Sequence, residues 1–203
     1  MKSLVLASGN RGKRDEIQAL LEPLGTRVVT QAELGLTEAE EPYDSFRDNA
    51  LAKARHACFA TRLPALADDS GICVDALGGA PGVYSARYAG EPRSDARNNE
   101  KMLLEMKDQN NRRAHYACVL VVVTHADDPE PVIAEGRWHG RVVDRPRGRG
   151  GFGYDPHFED LSSGLTGAEL PLERKNQLSH RGKAMRELVE RLVERGLIVE
   201  TER

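Results

Sequence analysis

The chain is poor in aromatic side chains, poor in cysteine and free of any excess of one charge. Aromatics make up 5% of the 203 residues, with one tryptophan. So few stacking surfaces argue against a binder of single-stranded nucleic acid. Lys+Arg is 29 and Asp+Glu is 32, for a net charge of −3. That balance lacks the clustered positive charge on which nucleic-acid affinity depends, but a small anionic ligand needs only a few placed cations. The three cysteines, Cys58, Cys73 and Cys118, are odd in number and lack C-x-x-C spacing, which excludes a zinc or dithiol pair and suits buried thiols in a reducing compartment. The opening Met-Lys-Ser-Leu-Val-Leu-Ala has too few apolar residues before Ser8-Gly9-Asn10-Arg11 for a signal peptide or a membrane span. The expectation is a cytoplasmic protein with no membrane partner.

There is no internal repeat and no low-complexity linker, and 39% hydrophobic with 30% charged residues reads as a folded globular chain. Leu4–Ala7 is a short apolar run that suits a buried strand, and Ile17, Leu20, Leu21 and Leu24 recur at helical spacing beyond Ser8-Gly9-Asn10. Thr26–Thr30 is a second strand, and residues 33–43 an acidic loop. Ser45 with Asp48 forms a capping box that opens a helix to about Arg62. Ala65–Ala67 is a short strand that delivers Asp68-Asp69-Ser70-Gly71 at its end, and Ile72–Val74 is a possible continuation. Ser94 caps a helix carrying Met102, Leu103 and Met106. Residues 114–124 and 131–138 are two strands of a hairpin, and Arg145–Gly153 is loop. A last helix starts near Ser179 and ends at Gly196. Hairpin and strand–helix units together predict an α/β fold with a mixed sheet, in a single domain over 1–203.

Five places carry possible chemistry. Ser8-Gly9-Asn10-Arg11-Gly12-Lys13 turns from a strand into a helix, where free N–H groups and the helix dipole favour an anion; an ordinary βα turn has the same form, and the sequence is not a Walker A loop. Asp68 and Asp69 are adjacent carboxylates that suit Mg²⁺, with Glu40 and Glu41 available to complete the site; a turn-forming Asp pair is the plainer reading. Lys53 either snorkels to solvent or points at the phosphates that Lys13 sees. Gly148-Arg-Gly150-Gly-Phe-Gly153 matches the dinucleotide fingerprint by letter only, since Tyr154-Asp155-Pro156 cannot open the required helix. Phe152 offers a face for one base and Asp155 an acceptor. Arg181 at a helix start opposes the dipole, which calls for a specific reason such as a carbonyl oxygen of a base.

Taken together the segments resemble the RdgB-like family of inosine/xanthosine triphosphate pyrophosphatases. The blocks that carry the likeness are Ser8–Lys13 with Glu16, Glu40-Glu41 ahead of Ser45–Ala50, Ala67–Gly71, Leu77–Tyr88, Gly150–Pro156, and Lys175 through Ser179-His180-Arg181. The resemblance implies an elongated long-stranded mixed sheet flanked by helices, two lobes with the nucleotide cleft between them, and a homodimer. It implies Mg²⁺-dependent hydrolysis of ITP, dITP and XTP to monophosphate and pyrophosphate. Carried over, Ser8, Gly9, Asn10, Arg11, Gly12 and Lys13 would cradle the triphosphate and Lys53 would assist. Asp69 would be proton acceptor, metal contact or both, with Ser70 beside the substrate. Phe152, Gly153, Tyr154, Asp155, Lys175, His180 and Arg181 would hold the nucleoside, Arg181 pairing with the 6-oxo group. Asp68, Asp69, Glu40 and Glu41 are the candidate metal ligands. Ser8 replaces a frequent Thr, and Leu165 stands where Lys is expected. Other readings are a pyrophosphatase for other modified nucleotides, a non-catalytic purine nucleotide sensor, and RNA binding through Arg141–Arg149.

Overall fold

Leu4 and Leu6 pack in one apolar cluster and Val5 in another, so the first strand, β1 (Ser3–Leu6), is buried on both faces. Burial of that kind is the mark of a parallel strand. β1 pairs in parallel with β2 (Arg27–Thr30) on one side and with β3 (Ala65–Val74) on the other. The sheet has six strands in the order β2-β1-β3-β4-β5-β6, where β4 is Arg113–Val123, β5 is Val132–Val142 and β6 is Phe158–Asp160. β5 and β6 are antiparallel, so the sheet is mixed, as the hairpin and strand–helix units predict. The structure, a computed structural model, describes residues 3–198; Met1 and Lys2, part of the opening stretch read above, lie outside them.

The helices are α1 (Arg11–Leu21), α2 (Phe46–Thr61), α3 (Asp95–Glu105), α4 (Leu172–Leu178) and α5 (His180–Glu194). The chain divides into two compact units. The first is Met1–Asp69, Cys118–Gly136 and Arg181–Arg203, and the second is Ser70–Ala117 and Arg137–His180. In the first unit, Ile17 and Leu21 of α1 and Ala184, Met185, Leu188 and Leu192 of α5 pack on Leu4, Leu6, Leu66 and Leu120. On the other sheet face, Ala50, Ala54 and Ala57 of α2 lie on Val5, Ala65, Ala67 and Val121. Alanines at this spacing let α2 approach the strands closely. In the second unit Ile72, Val74, Met102, Met106, Trp138 and Phe158 surround Tyr116, whose ring meets Phe158 edge-on with centroids 4.7 Å apart.

Three sequence expectations are corrected in detail. β3 is one ten-residue strand, so Asp68 and Asp69 lie inside it and not at its tip. β5 runs on to Val142, four residues beyond the expected end at residue 138, because Gly140 admits the Phe158 ring where a methyl group would collide with it. β6 and α4 were not foreseen, since three and seven residues are too short for a periodic signal.

Candidate active site

Alternation along β3 sorts the two aspartates. Leu66 belongs to the α1/α5 side of the sheet and Ala67 to the α2 side. Side chains two apart on a strand share a face, so Asp68 takes the side of α1 and α5 and Asp69 the side of α2. The expectation that both act on one metal ion does not fit this geometry.

Asp68 is fully buried and meets two cations. Lys13 Nζ is 2.6 Å from Oδ1, and Arg181 Nε donates to Oδ2 at 2.6 Å. The Cys118 thiol donates to the same Oδ2 at 3.3 Å. Arg181 Nη1 donates in turn to Glu16, which lies one turn along α1 from Lys13. The four charges alternate in sign, and their contacts run from α1 to β3, on to α5 and back to α1. Burial alone would raise the Asp68 carboxyl, but Arg181 and Lys13 outweigh it and hold it well below the usual carboxylate range. Arg181 is 2% exposed. Its guanidinium is engaged with Asp68 and Glu16, so the reason for an arginine at this helix start is a pair of carboxylates, and not the base carbonyl expected from sequence.

Asp69 stands in a different environment. Lys53 Nζ donates to its Oδ1 at 2.8 Å and to Glu41 Oε1 at 2.8 Å. Asp69 Oδ2 is buried and has no hydrogen-bond partner among the described residues. Burial raises the Asp69 carboxyl above its ordinary value, against the pull of Lys53 and Lys13. Lys53 is raised despite its burial, because Asp69 and Glu41 hold its charge. Lys53 therefore points inward from α2 and does not snorkel. Of the two acidic candidates on the loop, Glu41 joins this group, while Glu40 is exposed. Among the described residues no three His, Cys, Asp or Glu side chains converge tightly enough to form a metal cage by themselves. A buried carboxylate oxygen with an open acceptor position nonetheless suits Mg²⁺, which is commonly held by one or two carboxylates plus substrate phosphates.

The turn from β1 into α1 has the form read from sequence. Asn10 caps α1, its Oδ1 accepting from Lys13 N at 3.1 Å, and Asn10 N donates to Ser8 Oγ at 3.2 Å. Asn10 thus spends its side chain on the helix. The first turn of α1 contains no acid and carries Arg11 and Lys13, cations at the positive end of the dipole, which leaves the turn in want of an anion. Ser8, Gly9, Asn10, Arg11 and Arg14 line an open groove of about 290 Å³. Gly12 lies in the same turn, half-buried. Gly9 faces Glu38 so closely that a methyl group would collide with its carboxylate.

In the second unit, Asp155 is a buried hub. Its Oδ2 accepts from Phe152 N at 2.8 Å and from Lys175 Nζ at 2.6 Å. Gly151 and Gly167 leave room for it, since a methyl group on either would strike the Asp155 side chain. Within the run at 148–153 the reasons differ: Gly151 makes room for Asp155, whereas Gly148 and Gly150 lie against the backbone of Ala168. The Lys175 ammonium lies 4.9 Å from the centre of the Phe152 ring. Asp155 and Lys175, expected to touch substrate, hold Phe152 in place. Tyr154 is buried and donates from its hydroxyl to Ser85 O at 2.8 Å. His180 is buried too and stacks on Tyr116 at 4.6 Å with ring planes 7° apart. Ser70 follows Asp69 on β3, half-buried.

Sequence reasoning gave no role to Glu16, Cys118, Asp95 or Asn99. Glu16 was within reach of it, because a position three residues after Lys13 shares its helix face. The other three had no local signal.

A family model described as the Ham1 family matches residues 4–191. A dITP/XTP pyrophosphatase of Nitrosomonas europaea is 60% identical over 194 residues, 96% of each chain. A dITP/XTP pyrophosphatase of Ralstonia nicotianae is 61% identical over 195 residues, 95% of this chain and 97% of the other. Among solved structures, a HAM1 protein from Coxiella burnetii matches with a TM-score of 0.87 and 44% identity, covering 96% of this chain and all of that one, 100%.

Proposed function

The chain belongs to the Ham1 family, and on that premise we propose that it hydrolyses deaminated purine nucleoside triphosphates, ITP, dITP and XTP, to the monophosphate and pyrophosphate. The observation that carries the reading is 60% identity over 96% of each chain to a dITP/XTP pyrophosphatase, joined to a buried and a half-buried lysine, Lys53 and Lys13, both held by carboxylates. An ammonium has three N–H donors. Lys13 gives one to Asp68 and Lys53 gives two, to Asp69 and Glu41, which leaves donors on both for phosphate oxygens. Both lysines are fixed before substrate arrives, so little reorganisation is needed when charge develops on the phosphates.

The roles of the neighbouring aspartates follow from their contacts. Asp68 is saturated with donors and serves to position Lys13 and Arg181. Asp69 keeps Oδ1 on Lys53 and has Oδ2 to accept a proton from the attacking water, which supports the reading of Asp69 as the general base for attack on the α-phosphorus. Asp69 and Glu41 are the side chains that would hold Mg²⁺. When bound, that ion supplies charge neutralisation on the triphosphate and the leaving pyrophosphate. Ser8, Gly9, Arg11 and Gly12 contribute hydroxyl, backbone N–H and cation to the phosphates at the start of α1. Phe152 offers its ring to the base, and Gly153 gives the loop its turn. His180, stacked on Tyr116, is the further side chain proposed for the nucleoside. We further propose a homodimer that binds neither nucleic acid nor a membrane and works in the cytoplasm; no helix among the described residues is long and apolar enough to cross a membrane.

The test is a panel of nucleoside triphosphates with Mg²⁺, scored for pyrophosphate against orthophosphate. Pyrophosphate from ITP and XTP with little from ATP or GTP, abolished by EDTA, is the expected result. Orthophosphate as the product, or equal turnover of ATP, overturns the reading.

A further inference from the structure

The loop that carries Phe152 is held from a helix to which no role has yet been given. Gly153 has two backbone polar groups, and both go to α3. Its N–H donates to Asp95 Oδ2 at 2.8 Å, and its carbonyl accepts from Asn99 Nδ2 at 2.8 Å. The second hydrogen of Asn99 Nδ2 goes to Asp95 O at 2.9 Å. This fixes the orientation of the amide, because the reversed amide would set its oxygen against two carbonyl oxygens. Asp95 and Asn99 are one helical turn apart and share a face. Ser94 caps the helix immediately before them, accepting from Arg97 N, so the start of α3 is anchored.

Gly153 adopts φ +62, a left-handed conformation open to glycine at little cost. That freedom would leave the Phe152–Gly153 peptide mobile in the absence of outside contacts. The contacts come from two directions: Asp155 takes Phe152 N, and α3 takes both groups of Gly153. We infer that Asp95 and Asn99 are positioning residues that lock the two peptides flanking Gly153, Phe152–Gly153 through Asp95 and Gly153–Tyr154 through Asn99, and with them the ring offered to the purine base. The inference rests on the reading of Phe152 as the base contact. Asn99 is 8% exposed, and its Oδ1 is a buried acceptor with no hydrogen-bond partner among the described residues. A side chain chosen only to fill space between helix and loop would carry no such polar group, whereas one chosen to hold a peptide carbonyl must.

Asp95→Ala is the leading variant, because Asp95 is exposed at a helix start and its loss leaves the core intact. Two readouts are needed. Amide hydrogen exchange at Gly153, measured without nucleotide, should quicken in Asp95→Ala and stay near wild type in Asp95→Asn, which keeps an acceptor oxygen. In kinetics, Asp95→Ala should raise KM for ITP about fivefold, the size expected for one backbone hydrogen bond, with kcat little changed. Asn99→Ala should move KM the same way. Inhibition by inorganic tripolyphosphate, which has no base, should be unchanged in every variant. Phe152→Ala is the reference. If Phe152→Ala raises KM and Asp95→Ala does not, the clamp is wrong while the base contact stands. If Phe152→Ala leaves KM unchanged, the base contact itself is wrong. Weaker tripolyphosphate inhibition in Asp95→Ala, or unaltered exchange at Gly153, also overturns the inference.

Discussion

At the scale of single residues, two adjacent aspartates have opposite duties because a strand alternates. Asp68 accepts from Lys13, Arg181 and Cys118, and its removal leaves the buried Arg181 and the half-buried Lys13 short of a partner. Asp68→Asn should therefore destabilise the protein by about 3 kcal/mol or more, the usual result of breaking a buried pair from one side. Urea denaturation reads this directly, and a loss below about 1 kcal/mol would show that these ion pairs contribute little. Asp69→Asn should act on turnover instead, cutting kcat by about two orders of magnitude or more while the protein stays folded. Near-normal turnover would remove Asp69 from the reaction. The residue types at these places were legible in the sequence, as was the strand that carries them. Their division was not, because the assignment of a face depends on where β3 begins and on which helices cover it. Arg181 makes the same point. Its conflict with the helix dipole signalled a specific partner, but Glu16 and Asp68 are 165 and 113 residues away and nothing local names them.

Elements were read best where short-range chemistry fixes them. Ser45 accepts from Asp48 N at 3.1 Å and donates to Asp48 Oδ2 at 2.6 Å, so the Ser45 cap expected from sequence opens α2 as predicted, with Asp48 meeting the Ser45 hydroxyl in place of its backbone N–H. α2 brings Lys53 to Asp69 through the close approach of Ala50, Ala54 and Ala57. Two substitutions separate the capping of this helix from its seating. Ser45→Ala should cost about 1 kcal/mol of stability with kcat preserved, since the middle of the helix is still seated by its alanines. Ala54→Leu should cost about 1–3 kcal/mol by overpacking and should also depress kcat, because it pushes the Lys53 helix off the sheet. Thermal melts with parallel assays distinguish the two. Equal effects on kcat would mean that the close helix–sheet approach does not set the position of Lys53. The elements that escaped the sequence, β6 and α4, are short and held by tertiary contacts, such as Asp155 to Lys175 and the pairing of β6 with β5.

For the whole molecule, the mixed sheet follows from the order of hairpins and strand–helix units, whereas the division into two units does not, because its boundaries fall inside β3, β4 and β5 and in the first turn of α5, where no linker marks them. Behaviour in acid is also a property of the whole, summed over carboxylates away from Asp68 and Asp69. Burial would raise Asp160, but hydrogen bonds from Ser162, Trp138 and Ser163 outweigh it and hold its carboxyl below the ordinary value. Burial is likewise outweighed at Glu159 by Arg141 and Arg147, and at Asp128 by donors from Thr124 and Glu130. Each group binds its proton less readily folded than unfolded. The unfolded chain therefore takes up more protons as pH falls, and stability rises with pH across that interval. The contribution is fully present above the unfolded carboxylate values of about 4, and is lost as pH drops through the lower folded values. Unfolding free energy measured from pH 7 to pH 2 should hold level to about pH 5 and then decline. Asp160→Asn should make the decline shallower, because one of the groups that drives it no longer titrates. An acid limb of the same slope in that variant would mean that Asp160 keeps an ordinary carboxyl, and that the Trp138 and Ser162 hydrogen bonds do not favour its charged form.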